Sequence, residues 1–215
     1  HIEVATEAEV AVIAPATANI IGKLAHGIGD DYLTTALLAC PSPKIICPAM
    51  NVNMFDNQAV QENLAKLSSW GCHQVGPDAG DLACGVQGLG RLAPLDEIME
   101  KIRQVLTPQS LQGKQVLVTA GPTREMVDPV RHLTNPSSGK MGYALARVAK
   151  RRGAEVTLVS GPTSLNSPYG VKEIRVTTAK EMHQVVVEHM VQVDAVVMAA
   201  AVSDYRPKVT ASEKI

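Results

Sequence analysis

Asn51 follows a buried-type apolar run in PAMNVNMFDN (Pro48–Asn57), with Met50 and Met54 beside it. A carboxamide there can donate to a substrate carboxylate or amide while it accepts from a second group. A turn asparagine closing its own backbone is the competing reading, and residue type leaves both open. Cys84 stands in LACGVQGLGRL, with Gly85, Gly88 and Gly90 around it and Arg91 behind. Glycines on both sides suit a flap over a ligand, and an exposed thiol there is an acid or a nucleophile; an inert core cysteine is the ordinary alternative. Cys40, Cys47 and Cys72 lie in or beside apolar segments and read as core.

Farther along, SSGKMG (Ser137–Gly142) runs into ALARVAKRRG, so serine hydroxyls, backbone N–H groups and Lys140 converge on a helix N-terminus. That composition suits phosphate, against the plainer reading of a well-capped helix. It is not a Walker A loop, because GxxxxGKS/T requires glycine at Thr134 and serine or threonine at Met141. AGPTRE (Ala120–Glu125) likewise lacks the GxGxxG of a dinucleotide fold, which disfavours an NAD-dependent reductase. In AAAVSDYRP, Ala199–Ala201 leave room for a flat ligand, and Asp204 can accept hydrogen bonds or hold a cation through ligand phosphates. Lys214, ten residues on, reads by itself as a solvated lysine. Histidine is a residue type suited to acid–base work, yet position alone gives His1 no role. His26, His73, His132, His183 and His189 have no partner at metal-ligand spacing and are treated as surface or loop histidines.

These groups need elements to hold them. EVAVIA (Glu9–Ala14) reads as a strand, followed by a helix over Thr17–Gly27 and another over Asp30–Ala39. KIICPA is a second buried strand, running into a polar loop, Asn51–Asn57, and a helix over Gln58–Trp70. Gly76–Arg91 is glycine-dense and aperiodic, a long functional loop or hairpin, before a helix over Leu95–Leu106. TPQSLQG, residues 107–113, has linker composition and marks a domain boundary. The second unit reads strand (Gln115–Thr119), long loop (Ala120–Ser138), helix (Lys140–Arg152), strand (Glu155–Val159), loop, helix (Ala179–Val191), strand (Ala195–Met198). Such alternation predicts α/β architecture with parallel sheets, whose ligands lie at the carboxyl ends of strands.

The bulk composition agrees. The 215 residues are 46% hydrophobic and 19% charged with formal charge −1, and no apolar run reaches the ~20 residues of a membrane helix. There is no basic field for nucleic acid or an anionic membrane, and 3% aromatics leave little for base stacking. Four cysteines without a CxxC pair fit reduced thiols in a cytoplasm rather than a zinc site or disulfide framework, and no metal ligand set is legible. A chain that opens on His1, with sequence of mid-domain character, is expected to be a fragment.

Taken together, HIEVA with APATAN, PAMNVNMFDN and LACGVQGLGRL, then VTAGPTRE, LTNPSSGKMG, AAAVSDYRP and EKI, resemble the bifunctional phosphopantothenoylcysteine decarboxylase and phosphopantothenate–cysteine ligase of coenzyme A biosynthesis. The motifs stand in family order across essentially the whole chain. The resemblance implies a flavodoxin-like parallel-sheet decarboxylase domain holding FMN (residues 1–106), a linker (107–113) and a Rossmann-like ligase domain using CTP and Mg²⁺ (114–215), both truncated. It implies that His1 is the active-site histidine, that Asn51 binds the substrate carboxylate, and that Cys84 donates a proton. Ala16, Thr17, Ala18 and Asn19 then belong to the flavin-binding loop. Asn135 turns over the acyl-cytidylate, and Met198, Ala199, Ala200, Asp204 and Lys214 bind the nucleotide. The implied partners are 4'-phosphopantothenate, cysteine, CTP and 4'-phosphopantothenoylcysteine, in a homo-oligomer with trimeric decarboxylase and dimeric ligase contacts. A nucleotide-binding sensor or scaffold without turnover is the alternative.

Overall fold

The run KIICP is buried almost throughout, while AVIAPA buries only Ile13 and Ala16 and exposes Val12, Ala14 and Pro15. The first pattern belongs to an interior strand and the second to an edge strand. A computed structural model, which describes residues 1–81 and 87–215, shows this arrangement in the first of two compact units, His1–Leu106 and Thr107–Ile215. After α1 (Ile2–Glu7), β1 (Ala11–Ala16) leads to α2 (Ala18–His26) and α3 (Tyr32–Ala39). Then come β2 (Lys44–Pro48), α4 (Val52–Phe55), α5 (Gln58–Ser69) and β3 (His73–Gln74). The sheet order is β1-β2-β3, all parallel. β4 (Asp78–Asp81) and β5 (Gln87–Arg91) pair antiparallel, and α6 (Leu95–Leu106) closes the unit. Ile46 faces the core made with Ile21, Leu24 and Leu64, whereas its neighbours Ile45 and Cys47 face Val75 and Ile98. Alternate side chains of one strand thus cover both faces of the sheet.

In the second unit β6 (Gln115–Ala120) is followed by the antiparallel pair β7 (Arg124–Met126) and β8 (His132–Thr134). Next are α7 (Lys140–Arg151), β9 (Glu155–Ser160), β10 (Lys172–Arg175), α8 (Ala179–Met190) and β11 (Ala195–Met198). The parallel sheet runs β10-β9-β6-β11. Counting its own strands, that is third, second, first, fourth, the first four positions of the doubly wound order 3-2-1-4-5-6, and the chain changes direction between β6 and β11. Val116, Val118 and Ala120 pack with Tyr143 and Ala146 of α7, while Leu117 packs with Met182 of α8. Among the described residues no helix is long and apolar enough to cross a membrane.

Several boundaries differ from the sequence reading for identifiable reasons. β1 starts at Ala11 and continues through Pro15, which an edge strand tolerates, with a register shift between Ile13 and Ala16. The polar stretch after β2 contains α4, because Asn51 caps it. The β4–β5 pair falls where a loop or hairpin was expected, while the pair β7–β8 and the short strands β3 and β10 are too brief or too charged for periodicity to expose. Residues 107–113 open the second unit, where Leu111 lies against its core and its N–H donates to Arg152 O at 2.8 Å. His26, His183 and His189 ride on helices, and His73 lies half-buried in β3, where burial and then Lys101 push its imidazole below the ordinary range.

Candidate functional site

In the first unit the strand ends bring two of the expected loops side by side. Ala49 N donates to Ala16 O at 3.0 Å, joining the loop after β2 to the loop after β1. Met50 N donates to Gly90 O at 2.9 Å, and a Cβ on Gly88 would touch Val52 Cγ2 at 3.0 Å, so the segment carrying Asn51 also packs on β5. Ala16–Asn19, Asn51 and the base of the β4–β5 hairpin therefore share one end of the sheet. Cys84 itself lies outside the described residues.

Thr17 caps α2, its hydroxyl accepting from Ile20 N at 3.4 Å, and Gly27 ends that helix in the left-handed region. Ala16 is fully buried, and Ala18 is half-buried behind it. Three consecutive side chains no larger than threonine fit the close approach of a planar cofactor, with the first-turn N–H groups of α2 supplying donors. Asn51 Oδ1 accepts from Asn53 N at 2.9 Å, which orients the carboxamide so that its NH₂ is the donating group. That bond accounts for the turn reading of Asn51. His1 precedes α1, and its imidazole packs edge-on against Tyr32, with ring centroids 6.4 Å apart. Cys40 and Cys47 are buried, and Cys72 is half-buried against the first core. Burial pushes the Cys47 thiol up, and that of Cys72 also rises against the pull of Lys44.

In the second unit the candidate residues gather at the change of direction between β6 and β11. Thr119 is fully buried, and its Oγ1 accepts from Ala199 N at 3.1 Å and Ala200 N at 3.2 Å. Thr123, also buried, accepts from Ser203 N at 2.9 Å, and Ala201 N donates to Gly121 O at 2.8 Å. Asn135 Nδ2 donates to Val202 O at 2.9 Å, tying the loop before α7 to the loop after β11. Met198 is 75% exposed at the end of its strand, and Asp204 and Lys214 are exposed. The site thus gathers Asn135, Ala199 and Ala200 on one laced framework, with Asp204 a few residues along the same loop. Thr119 and Thr123 were not singled out in the sequence; a threonine at a strand end is too common to signal anything until its partners, eighty residues away, are known.

Gly139 precedes α7 with φ 74°, a conformation favoured by glycine, so the SSGK turn enters the helix sharply. Gly142 brings α7 against β6: a Cβ there would lie 2.5 Å from Ala120 Cβ and 2.8 Å from Thr119 O. The first turn of α7, with Ser137, Ser138 and Lys140 beside it, consequently lies against the end of β6, the position where doubly wound sheets hold phosphate. Tyr143, 2% exposed, fixes the helix by donating to Glu173 Oε1 at 2.5 Å and accepting from Thr163 Oγ1 at 3.1 Å. Beside it is a cleft of about 380 Å³ lined by Lys140, Tyr143, Ala144, Arg147, Leu165 and Asn166.

Asp128, in the turn between β7 and β8, has no exposed surface. Burial favours its neutral form, but donors from Arg131 and from the N–H groups of Val130, Arg131 and Ile215 outweigh it and hold the carboxyl far below the usual range. Among the described residues no three His, Cys, Asp or Glu side chains converge as a metal cluster.

Residues 1–107 match the family described as Flavoprotein, and residues 111–215 the DNA/pantothenate metabolism flavoprotein C-terminal domain. All 215 residues align at 48% identity with the coenzyme A biosynthesis bifunctional protein CoaBC of Vibrio parahaemolyticus, covering 54% of that protein. The chain belongs to the CoaBC family. A CoaBC protein of Bacillus subtilis is also 48% identical, over 219 aligned residues spanning the whole chain and 54% of that protein. The chain thus spans about half the length of the curated CoaBC relatives it matches. Among solved structures, the crystal structure of a CoaBC C-terminal domain is 58% identical with TM-score 0.46, covering 47% of this chain and 52% of that one. A PPC decarboxylase mutant complexed with pantothenoylaminoethenethiol is 36% identical with TM-score 0.47, covering 48% of this chain and 58% of that one.

Proposed function

We propose that the chain carries parts of two successive enzymes of coenzyme A biosynthesis. Residues 114–215 serve a CTP-dependent ligation of 4'-phosphopantothenate with cysteine, and residues 1–106 an FMN-dependent decarboxylation of the resulting 4'-phosphopantothenoylcysteine to 4'-phosphopantetheine. The observation that carries the reading is the alignment with a bifunctional CoaBC protein at 48% identity through all 215 residues.

In the ligase, the carboxylate of 4'-phosphopantothenate attacks the α-phosphate of CTP and expels pyrophosphate. The amine of cysteine then attacks the acyl-cytidylate and CMP leaves. Met198, Ala199 and Ala200 form the nucleotide surface, flat because two of the three side chains are methyl groups. Lys214 offsets negative charge on the phosphates, and the α7 turn with Ser137, Ser138 and Lys140 receives a phosphate. Mg²⁺ prefers one or two carboxylates together with phosphate oxygens, a demand that Asp204 with CTP meets without a protein-only cage. Asn135 neutralises no charge, so it hydrogen-bonds the activated acyl group without repelling phosphate.

In the decarboxylase, FMN supplies the two-electron oxidation of the substrate thiol to a thioaldehyde, the electron sink that loss of CO₂ requires, and its later reversal. Ala16, Thr17, Ala18 and Asn19 hold that cofactor. Asn51 donates its NH₂ to the substrate carboxylate and His1 accepts a proton in the oxidation. Cys84 returns a proton to carbon as the enethiol is reduced. On the family resemblance, the assembly we assign is a homo-oligomer with trimeric decarboxylase and dimeric ligase contacts.

Two assays on the full-length protein test this reading. One follows CO₂ release from 4'-phosphopantothenoylcysteine by a protein with a flavin spectrum. The other follows CMP and pyrophosphate release from CTP with 4'-phosphopantothenate and cysteine. Binding of flavin or CTP without either turnover would replace it with a sensor or scaffold.

A further inference from the structure

The stretch after β11 that carries Lys214 has no helix or strand from residue 202 to 215, and Ser212, Glu213 and Lys214 are all exposed. Apolar packing does not determine where such a segment lies; polar ties must. Four are present. Thr210 Oγ1 donates to Met126 O at 3.2 Å, and Ala211 N donates to Val127 O at 3.0 Å. Ile215 N donates to Asp128 Oδ2 at 3.2 Å, and the Arg131 guanidinium donates to Ile215 O.

Asp128 is the hub of the last two. Its Oδ1 accepts from Val130 N at 2.8 Å and Arg131 N at 2.7 Å, which suffices to close the turn between β7 and β8. Its Oδ2 accepts from Arg131 Nε at 2.7 Å and from the guanidinium NH₂ at 2.6 Å, in addition to Ile215 N. A turn aspartate needs one oxygen. Here the second is directed wholly at Arg131 and at the residue after Lys214, and a carboxylate with no exposed surface persists only because all these donors surround it.

We infer that Asp128, acting with Arg131, is a positioning residue that clamps the 210–215 segment to the β7–β8 turn and so fixes Lys214 for the triphosphate. The inference rests on the CTP reading above for the role of Lys214, but the clamp is defined without it. Asp128→Asn is the discriminating variant. The amide keeps an acceptor for the turn and places NH₂ against the donors of Arg131 and Ile215, so the turn survives while the clamp opens.

Hydrogen exchange on the full-length protein without nucleotide should show amides of residues 210–215 exchanging at least about tenfold faster in Asp128→Asn, with β6 unchanged as the control for folding. In ligase assays the KM for CTP should rise roughly ten- to a hundred-fold, the loss expected for charge-assisted hydrogen bonds, with the KM for cysteine unchanged. In a Lys214→Ala background the same substitution should add nothing. Unchanged exchange over 210–215 overturns the clamp. Full additivity with Lys214→Ala overturns its action through that lysine. Faster exchange in a protein whose wild type shows no CTP turnover supports the clamp and defeats the ligase reading instead.

Discussion

Thr119 holds the loop after β11 through its hydroxyl, which accepts from Ala199 N and Ala200 N, and through its carbonyl, which also accepts from Ala199 N at 3.3 Å. Thr119→Val keeps the shape and removes the acceptor. We expect a loss of about 0.5–1.5 kcal/mol in urea unfolding, the ordinary net worth of a hydrogen bond, because Ala199 N keeps the Thr119 carbonyl and both alanines are only half-buried, together with a raised KM for CTP as the alanine loop relaxes. Asn51→Ala should act at the other site, lowering decarboxylation by roughly ten- to a hundred-fold and leaving the ligase intact, because it removes a donor to a charged group. Equal loss of both activities would show misfolding. Asp128 adds a pH signature. Its folded pKa lies far below the ordinary ~3.9 of an unfolded aspartate. Its stabilisation is therefore complete above pH ~4 and is lost as pH falls from there toward the folded value. The stability gap between wild type and Asp128→Asn, measured by denaturant unfolding, should narrow steadily below pH 4; a gap constant from pH 6 to 2.5 would contradict the buried, ionised carboxylate.

At the scale of elements, α7 matters most, since its first turn is the phosphate position we propose and its seat on β6 depends on an absent side chain. A methyl group at residue 142 would meet Ala120 Cβ at 2.5 Å, closer than any real contact, so the helix must lift. Gly142→Ala should destabilise the second unit by about 1–3 kcal/mol despite alanine's better helix propensity, read as a lower midpoint in the circular dichroism of thermal unfolding. An unchanged or higher midpoint would mean that α7 does not sit this close to β6.

For the whole chain, the notable fact is that each unit closes its own cores: Ile13, Ile46 and Leu64 with their neighbours in one, Val118, Tyr143 and Leu158 with theirs in the other. Trp70 is the only tryptophan and lies in the first unit. Gly142→Ala should therefore shift part of the circular dichroism transition while leaving the Trp70 fluorescence transition in place. Coincident shifts in both signals would show that the two units unfold as one cooperative block.

What could be read from the sequence alone was local. Thr17 before and Gly27 after an apolar-periodic run announce α2, and SSGK before ALARVAKR announces α7, because caps and periodicity act within a turn or two of chain. The apolar runs KII and QVLV announce parallel strands for the same reason, and the ordered motifs from HIEVA to EKI carried the family. Tertiary structure decided everything that joins distant residues. That Asn51 shares a sheet end with Ala16 depends on strand register, and the brief strands β3 and β10 exist only because β2 and β9 lie beside them. Thr119 and Asp128 are ordinary residues in the sequence; they become the anchors of Ala199–Ala200 and of Ile215 only when chain segments some eighty residues apart meet. A hydrogen bond leaves no periodic trace in either partner's neighbourhood, so such anchors emerge only once the fold has brought donor and acceptor together.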